Sequence, residues 1–203
     1  MKKLLVLNNS ILAEQSQSSQ LTHHYVEKWL AAHADGVVIS RDLGLEPIPH
    51  LDGKMLSAWS TPVEERSPEQ RQLALISDQL IEELMAADEV VVGMPMYNFG
   101  VPSGFKAWID HIARAGVTFR YTESGPEGLL NNTKVIVAAT RGGLYAGTEK
   151  DTQTRYLTDV LAFLGLTDVA FVYAEGLAMG ADGAAEALTH AKTALTELAG
   201  SSH

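Results

Sequence analysis

The sequence predicts an α/β domain built on a doubly wound parallel sheet. Five short apolar runs alternate with segments of helical periodicity, in the order βαβαβαβαβα. The runs show little polar alternation, which is typical of strands buried on both faces of a parallel sheet. The length of 203 residues fits one domain, so we expect a single domain over residues 1–203.

Apolar runs and capping signals place the elements. The expected strands are Leu4–Leu7, Val37–Ile39, Glu89–Met94, Lys134–Ala139 and Val169–Tyr173. The expected helices run from about Leu21 to Ala34, from Pro68 with Ser67 as N-cap, over Ser103–Ala115, over Thr154–Leu164 before Gly165, and over Ala181–Ala199. Two segments fit neither pattern, a long connection at Leu43–Pro68 and an awkward stretch at Gly116–Gly128. Long connections often carry function.

Five strands fit a flavodoxin-like sheet of order 2-1-3-4-5 better than the six strands of a dinucleotide-binding fold. In such sheets, ligands bind outside the carboxyl ends of the strands. The loops that follow the first, third and fourth strands are therefore the places to look for a site.

Composition excludes several classes of function. The chain has no cysteine, which rules out disulfides, thiolate metal sites and cysteine nucleophiles. The formal net charge of −10 disfavours nucleic acids and anionic membranes as partners. No apolar run approaches the ~20 residues of a membrane span. We interpret Met1–Leu7 as a first strand rather than a signal peptide, and we expect a cytoplasmic protein.

Familiar catalytic signatures are missing. The sequence contains no G-x-G-x-x-G after the first strand, no G-x-x-x-x-G-K-[ST] and no G-x-S-x-G elbow around Ser103. The seven histidines show no metal-ligand spacing, so we expect no metal site and interpret His111 as a surface or hydrogen-bonded residue.

The loop after the first strand is rich in hydroxyl and amide groups, among them Ser10, Ser16, Gln17 and Ser18. A helix N-terminus here would bind phosphate through unpaired N–H groups. No Lys or Arg lies between Lys3 and Lys28, so the anion would be held by neutral groups. The alternative is that the serines only cap the helix.

The loop after the third strand suits a flat conjugated ring. Met96, Tyr97 and Phe99 offer polarisable and aromatic surfaces, and the Asn98 amide and backbone N–H groups can meet ring nitrogens and carbonyls. The run Thr140-Arg141-Gly142-Gly143 would close the other side, with glycines that allow close backbone approach. The alternatives are a structural loop and a simple strand-to-helix turn.

These segments together resemble a known family. Asn9-Ser10-Ile11-Leu12, Ser16-Gln17-Ser18, Pro95-Met96-Tyr97-Asn98-Phe99, the stretch Arg114–Thr122 and Arg141-Gly142-Gly143 are similar to the FMN-dependent NADH-azoreductases, which also reduce quinones. The resemblance implies a flavodoxin-like homodimer with one FMN per subunit near the interface. It also implies a ping-pong cycle in which NADH or NADPH reduces FMN before a quinone or azo acceptor takes the electrons.

The resemblance also assigns residues, although it implies no acid–base catalyst. Ser10, Ser16, Gln17 and Ser18 would hold the phosphate and ribityl end. Met96, Tyr97, Asn98 and Phe99 would meet the isoalloxazine, and Thr140, Arg141, Gly142 and Gly143 its far edge. Tyr121, Tyr145 and Phe163 of the partner subunit would line the acceptor pocket.

Three positions depart from the family pattern: Thr140 stands where many members have Ser, Tyr145 where some have His, and Trp59-Ser60 where some have Arg. These departures bear on the choice of nicotinamide cofactor and acceptor. Alternative functions are a flavodoxin-type electron carrier, an NAD(P)H:FMN reductase and a flavin-free binding module.

Overall fold

The structure, a computed structural model, describes residues 1–131 and 133–200. Residues 132 and 201–203 of the predicted single domain lie outside the described residues. The main-sheet strands are β1 (Lys3–Asn8), β2 (Val37–Asp42), β3 (Glu89–Pro95), β6 (Lys134–Thr140) and β7 (Val169–Ala174). The helices are α1 (Gln17–Ala32), α2 (Gly53–Ser60), α3 (Pro68–Ala86), α4 (Ser103–Ile112), α5 (Thr152–Leu164) and α6 (Ala181–Gly200), with 3₁₀ turns at Ala13–Gln15 and Val63–Glu65.

The five main strands are all parallel and follow the order β2-β1-β3-β6-β7. This is the predicted topology with different numbering, because the hairpin strands β4 (Phe119–Thr122) and β5 (Gly125–Gly128) intervene in the chain. Since the strands are parallel, their carboxyl ends share one edge of the sheet, which is the edge where the predicted loops lie.

Alternation along the strands divides the core into two layers. Leu5 and Val92 face a layer packed by α3, α4 and α5, while Leu4 and Val91 face α1 and α6. Both faces of the sheet are therefore covered, as the lack of polar alternation predicts. Among the described residues, no helix combines the length and the apolar character needed to cross a bilayer.

Several local predictions are confirmed by cap geometry. Ser67 accepts a hydrogen bond from the Gln70 N–H at 3.2 Å, and the Gln70 amide oxygen accepts one from the Ser67 N–H at 2.9 Å, which makes a capping box. Gly165 ends α5 with a φ of 96°, a left-handed conformation that favours glycine.

Several helix boundaries and two connections differ from the predictions. The first helix begins at Gln17 instead of about Leu21, because Ser16 caps it. The connection Leu43–Pro68 contains α2, capped by the Asp52 carboxylate, which accepts bonds from two backbone N–H groups. The third predicted helix ends at Ile112 and not at Ala115. Gly116–Gly128 contains an antiparallel hairpin, in which Phe119 pairs with Gly128.

Candidate functional site

Three loops meet at the carboxyl edge of the sheet. The Met96 N–H donates to the Thr140 carbonyl at 3.0 Å, which joins the loops after β3 and β6. The hydroxyls of Ser10 and Tyr97 lie 3.1 Å apart, which joins the loops after β1 and β3. The structure thus brings together the three loops in which the sequence places a site.

The loops line an open groove of about 180 Å³. Its walls come from segments 10–17, 95–97 and 140–142, with Leu177 added from the loop after β7. The remaining predicted residues adjoin it in the chain: Ser18, Asn98, Phe99 and Gly143.

One end of the groove is the N-terminus of α1. Ser16 caps the helix by accepting a bond from the Ser19 N–H at 3.3 Å, and its hydroxyl lies 2.9 Å from that of Ser18. Within the described ranges, the N–H groups of Gln17 and Ser18 have no protein acceptor. Ser16 therefore caps the helix, and the cap leaves two backbone donors at the positive end of the helix, where an anion can bind.

The other end is a tight turn at Tyr97–Gly100. Tyr97 and Gly100 exchange two backbone hydrogen bonds, at 2.9 and 3.2 Å, around Asn98 and Phe99. Both central residues are left-handed, with φ of 50° for Asn98 and 65° for Phe99. Such a two-residue turn favours Asn-Gly, so a phenylalanine there is strained, at a cost of about 1–3 kcal/mol. Strain of this kind concentrates at ligand-binding sites.

The first turn of α5 holds this strained turn in place. The Gln153 amide donates to the carbonyls of Pro95 and Gly100, both at 3.0 Å, and the Thr152 hydroxyl donates to the Phe99 carbonyl. Among the described residues, the N–H groups of Asn98 and Phe99 have no acceptor. They remain available to a ligand beside the half-exposed Phe99 ring, which is 51% exposed.

Arg141 lies at the groove, but its side chain is directed into the protein. The guanidinium, whose side chain is 1% exposed, pairs with Asp151 at 2.8 Å and with Glu175 at 3.1 Å and lies 4.8 Å from the ring centre of Tyr173. Burial raises the pKa of Asp151, but hydrogen bonds from Arg141 and Thr154 outweigh it, so the net pKa lies below the usual aspartate value. The Arg141 guanidinium therefore holds the loop in place and is not free to bind a ligand.

Tyr145 packs against the aromatic turn beside the groove. Its ring lies edge-on to that of Phe99, with centroids 5.6 Å apart, and its N–H donates to Glu175 at 2.8 Å. A Cβ at Gly143 would lie 2.8 Å from the Tyr145 hydroxyl, so glycine there permits the close approach of the ring.

Tyr121 and Phe163 are not brought to this groove. Their rings flank Phe119, at 5.5 and 4.4 Å between centroids, beside the C-terminal end of α5. Phe99 contacts Thr152 at the other end of that helix. The 11 residues from Thr152 to Phe163 span about 16 Å of helix. Phe163 and its neighbours are therefore too far from the turn at Phe99 to contact it within one chain.

The apolar face of α4 and the long connection have structural roles. Trp108, Ile109 and Ile112 are buried in the core of this chain. Trp59 lies edge-on to His111 at 5.7 Å and does not line the groove. His111 is fully buried, rather than on the surface, and its Nδ1 lies 2.9 Å from the Ala107 carbonyl oxygen.

Sequence reasoning missed Thr152, Gln153 and Glu175, which position the loops. No local pattern marks them, because their partners lie 29 to 58 positions away in the chain. No group of three or more His, Asp or Glu side chains in the described ranges could hold a metal ion.

Comparisons with known proteins agree with this geometry. A family model described as a flavodoxin-like fold matches residues 2–199. An FMN-dependent NADH:quinone oxidoreductase of Herminiimonas arsenicoxydans is 47% identical over 201 residues, 98% of each chain. A protein of the same name from Alcanivorax borkumensis is 50% identical over 192 residues, 95% of this chain and 97% of its own.

Solved structures give the same result. An azoreductase from Bacillus anthracis superposes with a TM-score of 0.88 at 28% identity, over 98% of this chain and 99% of that one. An FMN-dependent NADH-azoreductase of the same species, in complex with FMN, gives 0.88 at 27% identity, over 98% of both chains. The chain therefore belongs to the flavodoxin-like family of FMN-dependent NADH:quinone oxidoreductases and NADH-azoreductases.

Proposed function

We propose that the protein transfers two electrons from NADH to quinones and azo compounds, by way of FMN bound in the groove at the carboxyl edge of the sheet. The observation that carries the proposal is the pairing of two sets of unbonded N–H groups. One set, Gln17 and Ser18, lies at a helix N-terminus, and the other, Asn98 and Phe99, lies at the aromatic turn.

The residues fit FMN at both ends. The neutral N–H groups and hydroxyls at the start of α1 suit a phosphate, since helix N-termini bind anions without cationic side chains. The turn offers N–H donors beside the Phe99 ring, as a flat heterocycle with polar edges requires. Tyr145 and Phe99 together would limit the access of water to that end of the groove.

Bound FMN supplies the hydride and electron chemistry. The chain's own part is to hold and orient. The N–H groups of Asn98 and Phe99 would stabilise negative charge at a polar ring edge, since preorganised donors act strongly where water is excluded. Ser10 and Tyr97 fix the spacing between the two ends through their shared hydrogen bond.

We propose further that the protein acts as a homodimer, in which the hairpin of each subunit completes the groove of the other. Tyr121, which is 75% exposed, and Phe163 do not line the groove of their own chain. Supplied by a second copy, these aromatic rings would wall the acceptor side of the groove. A two-fold symmetric pair would then contain two equivalent sites.

The test is turnover by the purified protein. We expect a yellow protein whose flavin is released as FMN, and which oxidises NADH when a quinone or an azo dye is added without oxygen. Bound FMN without turnover would contradict the enzyme and favour an electron carrier. Rapid reduction of added free FMN, with no quinone reduction, would instead favour an NAD(P)H:FMN reductase.

A further inference from the structure

The side chain of Gln153 is bonded in an unusual way. It is fully buried, and its amide nitrogen donates to two carbonyls, those of Pro95 and Gly100, each at 3.0 Å. Its amide oxygen is also buried and has no partner among the described residues. A buried oxygen without a hydrogen-bond partner is unfavourable. Any stabilisation by Gln153 therefore comes from the two hydrogen bonds that its amide nitrogen donates.

The two carbonyls belong to the ends of the loop that carries the strained turn. Gln153 joins the end of β3, at Pro95, to the last residue of the turn, at Gly100. Its neighbour Thr152 holds the Phe99 carbonyl. Three carbonyls of one loop are thus fixed by two consecutive residues of one helix, which leaves the N–H groups of Asn98 and Phe99 on the unbonded side.

The start of α5 is itself fixed to the opposite wall of the groove. Asp151 caps the helix by accepting the Thr154 N–H at 3.0 Å and also binds Arg141, which lies in the groove-lining segment 140–142. One helix end therefore sets the distance between the two loops that would flank a ring.

We propose that Gln153, assisted by Thr152, is a positioning residue that holds Asn98 and Phe99 in the left-handed turn presented to the flavin. The effect on a flavin rests on the proposed FMN function, whereas the hydrogen bonds themselves are observed in the structure. Neither side chain is assigned contact with the cofactor. Both act through the backbone of residues 95–100.

The first test replaces the donor without changing the volume much. Gln153→Met should weaken FMN binding about tenfold, since two buried hydrogen bonds that order the turn are lost. It should also change the visible absorption and circular dichroism of the bound flavin. Leu157→Ala, on the same helix and buried in the core, is the matched control. It should lower the melting temperature but leave FMN affinity and flavin spectra as in the parent.

A second pair of variants covers the case in which Gln153→Met does not fold. Thr152 is exposed, so Thr152→Val should fold and show the same spectral change to a smaller degree. Thr152→Ser keeps the hydroxyl and should restore the parent spectrum. Parent-like spectra and affinity in Thr152→Val, or equal changes in Leu157→Ala, would overturn the proposal.

Amide exchange separates this proposal from the function it builds on. In the FMN-free protein, the Gly100 N–H, bonded to the Tyr97 carbonyl, should exchange faster in Thr152→Val than in the parent or Thr152→Ser. Faster exchange in a protein that takes up no FMN would support the clamp and contradict the cofactor. Unchanged exchange with normal FMN binding would contradict the clamp alone.

Discussion

The groove and the hairpin are opposite kinds of aromatic surface. At the groove, Phe99 lies on a strained turn whose carbonyls are fixed by buried donors, so its position is set before any ligand arrives. At the hairpin, Tyr121 is 75% exposed and touches Phe119, its neighbour on the same face of the strand. The contrast teaches that the turn holds its aromatic ring in one position, whereas the hairpin leaves its ring exposed on the surface of the chain.

The charged groups repeat this contrast. Arg141 beside the groove is buried and pairs with two carboxylates, while Arg120 on the hairpin is exposed and pairs with Glu127 at 2.8 Å. Burial makes the loss of one partner costly, because the remaining charges cannot be solvated. An exposed pair is screened by water and salt and contributes little.

The largest expected effect is therefore on stability at Arg141. Arg141→Ala should lower the free energy of unfolding by about 3–5 kcal/mol, since Asp151 and Glu175 are left without their cation. Arg120→Ala should leave the denaturation midpoint unchanged. Urea denaturation of both variants checks the comparison, and equal losses would show that the two ion pairs do not differ as described.

Next is the affinity of the phosphate end. Ser16→Ala combined with Ser18→Ala should weaken FMN binding by about 1–3 kcal/mol, because hydroxyl groups at the helix N-terminus are removed. Riboflavin, which lacks the phosphate, is the control ligand, and the double substitution should lower its affinity much less. Equal binding of FMN and riboflavin by the parent protein would remove the phosphate site altogether.

The smallest expected effect is on how stability depends on pH in acid. The pKa of Asp151 is lower in the folded protein than the ordinary value of about 3.9, so the unfolded chain binds more protons as the pH falls. Its stabilising contribution is complete above about pH 4 and is lost as the pH falls through the folded pKa. In the Asp151→Asn variant, the melting temperature should therefore fall less steeply with decreasing pH in the acid range.

Glu127 provides the comparison for that slope. The hydrogen bond from Arg120 also lowers the pKa of Glu127, but the pair is exposed. Glu127→Gln should therefore change the slope less than Asp151→Asn, and the difference should persist in high salt. A larger change at Glu127 would contradict the contrast.

The sequence predicted the framework because its signals are local. Apolar runs gave the five strands, Ser67 with Pro68 gave a helix start, and Gly165 gave a helix end. The three loops were also found in advance, since parallel strands bring their carboxyl ends to one edge.

What could not be predicted depends on distant partners or on conformations that the residue types disfavour. Asn98 suits the first position of a turn with two left-handed residues, but Phe99 stands where such a turn favours glycine, so the sequence alone does not predict it. Gln153 and Arg141 become meaningful only through Pro95, Gly100, Asp151 and Glu175, which the fold brings to them. The hairpin was hidden because Phe119–Gly128 is short and rich in polar residues.

Mixing two defective proteins tests most directly whether groove and hairpin come from different copies. One protein carries Ser16→Ala with Ser18→Ala and is assayed at an FMN concentration that fills only the parent groove. The other carries Tyr121→Ala, which we expect to reduce quinone turnover about tenfold through lost aromatic contact. Each is refolded alone and as an equal mixture.

If the hairpin of one subunit completes the groove of the other, about a quarter of the sites in the mixture combine an intact groove with an intact hairpin. The mixture should then recover about a quarter of the parent activity, well above the mean of the two separate proteins. Activity equal to that mean would show that each site is built from a single chain, and would contradict the assignment of the hairpin to the partner's groove.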